Sequence, residues 1–247
     1  MPRPGIIVTQ SGDRGALLAG ALSDRGFSAE HLPLIETVPL AEAVKQLAAG
    51  AADGDAWVFT SSAAVRAIAG HERAVAKLRA APAAYALGAG TWRALQSVAP
   101  QSVCFSGVRG AQDFAKRLVE TCPPPCGFIF PRGRLTLEAL PDELRRAGRR
   151  VQEWVVYDTV LQPWAADRLT ARTGDVVVVF SPSAVAAIAA HVARDLIFAP
   201  GRFIWLPFGA TTARALRQLG VQHLAPPPEP SHEALIRHLE TLYPLGA

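Results

Sequence analysis

The stretch Phe59-Thr60-Ser61-Ser62-Ala63 returns as Phe180-Ser181-Pro182-Ser183-Ala184, 121 residues further along the chain. Each copy follows a short apolar run, Ala56-Trp57-Val58-Phe59 and Val176-Val177-Val178-Val179, and precedes an alanine-rich helical pattern. A second pair keeps the same separation. Gly88-Ala89-Gly90-Thr91-Trp92-Arg93-Ala94-Leu95 matches Gly209-Ala210-Thr211-Thr212-Ala213-Arg214-Ala215-Leu216. A third match is weaker in identity but keeps its pattern. It lays Gly5 to Leu34 on Gly127 to Val156, pairing Leu18 with Leu140, Leu22 with Leu144 and Gly26 with Gly148. Three matches in register describe an internal duplication, with the chain read as X-Y-X-Y.

Working outward, the apolar runs read as strands at Gly5-Thr9, Ala56-Thr60, Ala83-Leu87, Gly127-Phe130, Val176-Phe180 and Arg202-Leu206. Most are continuous rather than alternating, the signature of strands buried on both faces in parallel sheets covered by helices. Helical spacing follows each, for example Leu17, Leu18, Ala21 and Leu22, with Ser11 or Asp13 as cap and Gly26 as stop. Two stretches rich in β-formers, Leu34-Pro39 and Val155-Val160, separate the units and can pair as a two-stranded hinge. From the repeat alone, the expected domains are tandem halves.

Composition bounds the function. The chain has 247 residues, half of them hydrophobic and 19% charged, which suits one or two packed domains. A net charge of +4 fits an anionic ligand without requiring nucleic acid. The densest basic cluster, Arg145, Arg146, Arg149 and Arg150, reads as the solvated end of a helix, with no aromatic interleaving. No run approaches the ~20 apolar residues of a membrane span. The start of the chain lacks a secretory pattern, so a cytoplasmic protein is expected. Cys122 and Cys126 bracket three prolines at a spacing that could hold a metal. No second Cys or His pair accompanies them, and a loop that happens to carry two thiols is the plainer reading.

Each repeated motif is a strand, a Ser/Thr/Gly turn, then a helix. A hydroxyl there caps the helix, and the remaining free N–H groups and helix dipole form an anion site. At the carboxyl ends of parallel strands such turns meet ligands. Each turn alone is also a plain cap. Four of one chemistry, on a basic chain, read as two shelves for a ligand with several negative groups. Gly88-Ala89-Gly90 lacks the spacing of a dinucleotide fingerprint, and no P-loop, zinc-binding His-Glu motif or Gly-x-Ser-x-Gly elbow occurs.

The Phe-Thr-Ser turn, the Gly-x-x-Thr turn, Pro131-Arg132-Gly133 and the Gly148 to Tyr157 stretch, in this order from Ile6 to His232-Glu233-Ala234-Leu235, resemble uroporphyrinogen-III synthases. The resemblance implies two similar parallel-sheet α/β domains of flavodoxin-like or Rossmann-like type. One would hold roughly residues 1–36 and 162–247, the other 39–157. Hinge strands near 34–40 and 155–162 would join them, with the active-site cleft between. It implies closure of linear hydroxymethylbilane to uroporphyrinogen III, with loss of water and inversion of ring D through a spiro intermediate, and with no metal or organic cofactor. Partners would be this small-molecule substrate and hydroxymethylbilane synthase as its source, with no nucleic acid or membrane and a monomeric chain.

Carried onto this sequence, the proton donor is Tyr157, whose plainer role is a half-buried strand tyrosine. Binding positions are Ser62, Thr91, Ser183, Thr211 and Thr212, acting through hydroxyls and adjacent backbone, with Ser11 in the equivalent first turn. Arg132 either meets a carboxylate or faces solvent in a loop. Leu137 stands where many members carry a basic residue, leaving Arg134 as its replacement. The histidines form no constellation. An alternative is a catalytically silent relative that senses a tetrapyrrole or another polyanion.

Overall fold

The computed structural model describes residues 3–108, 110–135, 139–162, 168, 174–191 and 201–245, apart from the side chains of residues 190 and 191. Leu137 lies outside the described residues, as does part of the span 162–247.

The chain opens with β1 (Ile6–Val8), α1 (Asp13–Ser23) and β2 (Ala29–His31), then β3 (Ile35–Pro39) and α2 (Ala41–Gly50). Next come β4 (Ala56–Phe59), α3 (Ser62–Ala69), α4 (Glu72–Ala80), β5 (Ala84–Ala86), α5 (Ala89–Gln96) and β6 (Val103–Cys104). The chain continues through α6 (Ala111–Thr121), β7 (Phe128–Gly133), α7 (Leu140–Arg146) and the long β8 (Val151–Leu161). It closes with β9 (Val176–Val179), α8 (Pro182–His191), β10 (Ile204–Pro207), α9 (Ala210–Gln218) and α10 (His232–Leu242).

Two compact units result. Unit 1 is Met1–Glu36 with Thr159–Ala247, and unit 2 is Thr37–Asp158. Unit 1 holds a sheet of order β10-β9-β1-β2, every neighbour parallel. The second sheet has the order β3-β8-β7-β4-β5-β6, parallel from β8 to β6. β3 runs antiparallel to β8, for Leu40 N–H donates to Val156 O and Gln162 N–H to Leu34 O, each at 2.9 Å.

The duplication is visible in this topology. The order β2-β1-β9-β10 repeats as β8-β7-β4-β5, and Ile6 faces Ala29 as Phe128 faces Val151. Each sheet therefore joins the X of one copy to the Y of the other, which is not the tandem arrangement the repeat alone suggests. Both copies offer the same parallel strand edge, so either pairing satisfies the backbone. The extended segments β3 and β8 carry the chain from one unit to the other, passing over after Glu36 and after Asp158.

The continuous apolar runs behave as strands buried on both faces. In β4, Trp57 and Phe59 enter one core cluster of unit 2, while Ala56 and Val58 enter the other. In unit 1, Ile6, Val8, Val176 and Val178 pack with Leu18, Leu22, Leu235 and Leu239. Each such side chain contributes about 1.5–3 kcal/mol when fully buried. The arginine cluster departs from a solvated helix end. Gly148, at φ 73°, terminates α7 in a left-handed turn, and Arg149 beyond it is buried, donating to Cys122 O and Cys126 O.

Candidate active site

In unit 2 the carboxyl edge of the sheet is built from β4, β5, β7 and β8. Ser61 follows β4 and caps α3, its Oγ accepting the Ala63 N–H at 3.1 Å. Ser62 is the first residue of that helix, and its Oγ accepts from Arg66 at 3.1 Å. Gly88 follows β5 at φ 83° and caps α5 without any side-chain bond. The first-turn N–H groups of α5 have no partner within the helix, and a Cβ added at Gly88 or Gly90 would meet nothing within 4 Å. Thr91, in that first turn, is buried.

Tyr157 reaches this edge through an irregularity in β8. Arg132 lies opposite Val155 but Gly133 lies opposite Tyr157, so Val156 is skipped. Such a bulge re-aims the side chains beyond it. Here it turns the consecutive residues Val156 and Tyr157 into the same core cluster. Tyr157 is only 8% exposed, and its hydroxyl donates to Ser61 Oγ at 3.1 Å. The ring lies directly against Gly133, where an added Cβ would fall 2.6 Å from Cζ and 2.9 Å from the hydroxyl oxygen. Only glycine permits this approach.

Arg132 belongs to β7 rather than to a loop. Its guanidinium donates to Glu153 Oε2 at 2.7 Å and to the Gly133 carbonyl at 3.0 Å, and Arg145 reaches the other oxygen of Glu153 at 2.6 Å. Arg132 thus meets a carboxylate, but one of the protein's own. Arg134 likewise pairs with Asp158 at 2.8 Å.

Unit 1 presents its own edge at the ends of β1, β9 and β10. Ser11 does not cap α1; Gly12 does, with no side-chain bond, while Ser11 Oγ donates to the Ile35 carbonyl at 2.5 Å. That bond ties the turn to β3, which accounts for the hydroxyl. Ser181 Oγ accepts the Ala184 N–H at 3.1 Å and lies 3.0 Å from Ser183 Oγ. Gly209 caps α9 without a side chain, Thr211 is exposed and Thr212 is buried. The N-termini of α1, α8 and α9 thus lie along one edge, those of α1 and α9 without a side-chain cap. No membrane-length apolar helix occurs among the described residues.

Sequence reasoning passed over several residues at these edges. Ser61 was visible in the repeat, but its bond to Tyr157 was not. Gly133 stood in a quoted motif with no sign that a ring lies on it. His232, at the start of α10, is T-shaped to both Phe180 and Phe208, which follow β9 and β10, with centroids 6.3 and 6.0 Å away. Its Nε2 donates to Gln10 Oε1 at 2.8 Å. Burial and then the nearby Arg14 cation hold this imidazole below its ordinary range. His232 lies far along the chain from Gln10, and no spacing rule links them.

A family model described as uroporphyrinogen-III synthase HemD matches residues 16–237. The chain belongs to the uroporphyrinogen-III synthase family. It is an enzyme of the uroporphyrinogen-III synthase type, a lyase of porphyrin biosynthesis. Solved structures agree in fold. The uroporphyrinogen-III synthetase of Helicobacter pylori is similar with a TM-score of 0.61 at 19% identity, covering 98% of this chain and 100% of its own. A mutant uroporphyrinogen III synthase from Thermus thermophilus gives 0.62 at 20% identity, covering 98% and 99%. No curated protein matches the chain significantly. Among uroporphyrinogen-III synthases this chain therefore shares the fold at low identity, and its edge residues stand on their own geometry.

Proposed function

We propose that the chain closes hydroxymethylbilane to uroporphyrinogen III, with ring D inverted through a spiro intermediate and Tyr157 as the acid. The observation that carries this reading is the Tyr157 phenol seated on Gly133, with its proton on Ser61 at the start of α3. The reaction needs a proton for the departing hydroxyl, and a donor fixed at a helix N-terminus supplies one. Loss of water leaves an azafulvene cation. Its attack on its own chain gives the spiro intermediate, and the proton released at final closure returns to the phenolate. The net change is the loss of one water.

The substrate carries eight carboxylates. The first-turn N–H groups of α3, α5, α1, α8 and α9 are suited to dispersed anions, so Ser62, Thr91, Ser183, Thr211 and Thr212 serve as binding positions through hydroxyl and backbone, and Ser11 through its backbone. Arg132 acts by holding Glu153 and the Gly133 carbonyl, which keeps the bed of Tyr157 in place. Orientation of the folded chain then decides which isomer forms. In this reading the protein works as a cytoplasmic monomer. A bilane that closes spontaneously to the type I isomer favours direct hand-over from hydroxymethylbilane synthase.

A coupled assay tests the proposal. Hydroxymethylbilane is generated by its synthase in the presence of this protein, and the oxidised porphyrin isomers are separated by chromatography. A dominant type III product is expected. The type I isomer alone would overturn the enzymatic reading and leave a tetrapyrrole-binding role.

A further inference from the structure

The amino-terminal edge of the sheet in unit 2, opposite the edge that carries Tyr157, holds a second set of reactive side chains. A cavity of about 720 Å³ there is lined by Asp55, Tyr85, Cys122, Cys126 and Arg150, together with the prolines between the two cysteines. The two thiols close a short loop between α6 and β7. One guanidinium nitrogen of Arg149 donates both to the Cys122 carbonyl and, at 2.7 Å, to the Cys126 carbonyl, so the loop ends converge on a single atom. Cys122 is buried and its thiol donates to the Tyr85 hydroxyl at 3.3 Å, whereas Cys126 is partly exposed. The Cys126 thiol stands beside that of Cys122 and within electrostatic reach of Arg150.

Two thiols held together by their own backbone, one open to solvent and one shielded, are the arrangement of a dithiol that exchanges with an external disulfide. Among the described residues no group of three or more His, Cys, Asp or Glu is placed to hold a metal ion. We propose that Cys122 and Cys126 form a reversible intramolecular disulfide by exchange with a low-molecular-mass peptide disulfide of the glutathione type.

Cys126, the accessible thiol, attacks as its thiolate. One sulfur of the reagent bonds to Cys126, the reagent's own S–S bond breaks, and the released thiolate takes up the proton that Cys126 gave. Cys122 then loses its proton and attacks the Cys126 sulfur, expelling the second reagent thiolate, which is protonated in turn. Two protein thiols are oxidised and one small disulfide is reduced to two thiols. The Arg150 guanidinium holds the buried Asp55 carboxylate through Nε and one terminal nitrogen, at 3.3 and 2.6 Å. Its other terminal nitrogen, on a side chain 59% exposed, is the one placed to meet a carboxylate of the incoming peptide. Burial pushes the Cys122 thiol up from its ordinary range. That makes Cys122 a poor first attacker and assigns it the resolving step.

The test incubates the reduced full-length chain with oxidised glutathione, then combines intact mass measurement with peptide mapping. The expected product has lost two hydrogens and carries a Cys122–Cys126 cross-link, with no retained glutathione. Cys122→Ser should accumulate a stable glutathione adduct on Cys126, and Cys126→Ser should take up at least tenfold less reagent at Cys122. Circular dichroism of each variant establishes that it is folded, and Cys104 is the internal control. A stable adduct on Cys126 in the wild-type chain, a cross-link through Cys104, or no change in mass each overturns the proposal.

Discussion

The two sheets share one strand order and one set of turns, yet their carboxyl edges carry different chemistry. Laying β7 and β8 on β1 and β2 in the register of their strand pairs puts Tyr157 at the place of Ile35 and Gly133 at that of Ser11. In unit 2 the absent side chain of Gly133 makes room for a phenol that reaches Ser61. In unit 1 the same place holds an aliphatic side chain, and Ser11 is tied to the Ile35 carbonyl. Pro182 stands opposite Ser61 in the repeat, and Ser181, the partner of Thr60, is occupied by Ser183 and Ala184. Duplication thus supplied two edges lined by helix N-termini, and divergence at two positions gave one of them a buried phenol, the donor in the proposed reaction. The other gained an aromatic group of Phe180, Phe208 and His232.

The largest effect that bears on this contrast is the loss of the proposed donor. Tyr157→Phe keeps the ring on Gly133 and removes only the hydroxyl, so the rate of type III formation should fall by roughly 10²–10⁴-fold with little change in thermal midpoint. A loss smaller than about tenfold would show that the phenol only packs and that the two edges are chemically equivalent. Gly133→Ala comes next. A methyl 2.6 Å from Cζ displaces the ring, and a shift of that kind costs on the order of 100-fold in rate and about 1–3 kcal/mol in stability. The double variant should be no slower than Tyr157→Phe alone, because both changes act on one group.

A finer comparison sets Ser61→Ala against Ser181→Ala. Both remove a helix cap, and each should cost about 0.5–2 kcal/mol by urea denaturation. Only Ser61 also holds the phenol. Its variant alone should lower kcat, by roughly three- to tenfold, the worth of one hydrogen bond. Equal kinetic losses from the two serines would mean that capping, not the contact with Tyr157, is what each contributes.

The sheets and their edges were legible because strands buried on both faces leave continuous apolar runs, as in Val176-Val177-Val178-Val179, and because the repeat fixed which turns were equivalent. β2 and β6 left weaker traces. Ala29-Glu30-His31 and Val103-Cys104 are short edge strands of mixed polarity, stabilised by neighbours far away in the chain. The choice between tandem and exchanged halves was not readable from the repeat, since the competing strand edges have the same pattern. At the site, residue types were legible and contacts were not. The bulge that skips Val156 depends on how β7 and β8 pair, and it decides where Tyr157 points. Arg132 read equally well as a substrate contact or a loop residue, because Glu153 comes beside it only in the folded sheet.

The smallest expected effect concerns the aromatic group of unit 1. Burial and Arg14 hold the His232 imidazole below its ordinary range, so the folded state binds its proton less readily than the unfolded chain does. A group of this kind gives its full contribution above the unfolded value of about 6.5, and loses it as the pH falls from there through the lower folded value. His232→Gln, which can still donate towards Gln10, removes that titration. Urea midpoints of wild type and variant should therefore differ by a constant amount above about pH 7, and the wild-type advantage should shrink as the pH is lowered towards about 5. An advantage that grows on acidification would mean that His232 is held as a cation, which suits a carboxylate ligand directly and would make unit 1 the more strongly charged of the two shelves.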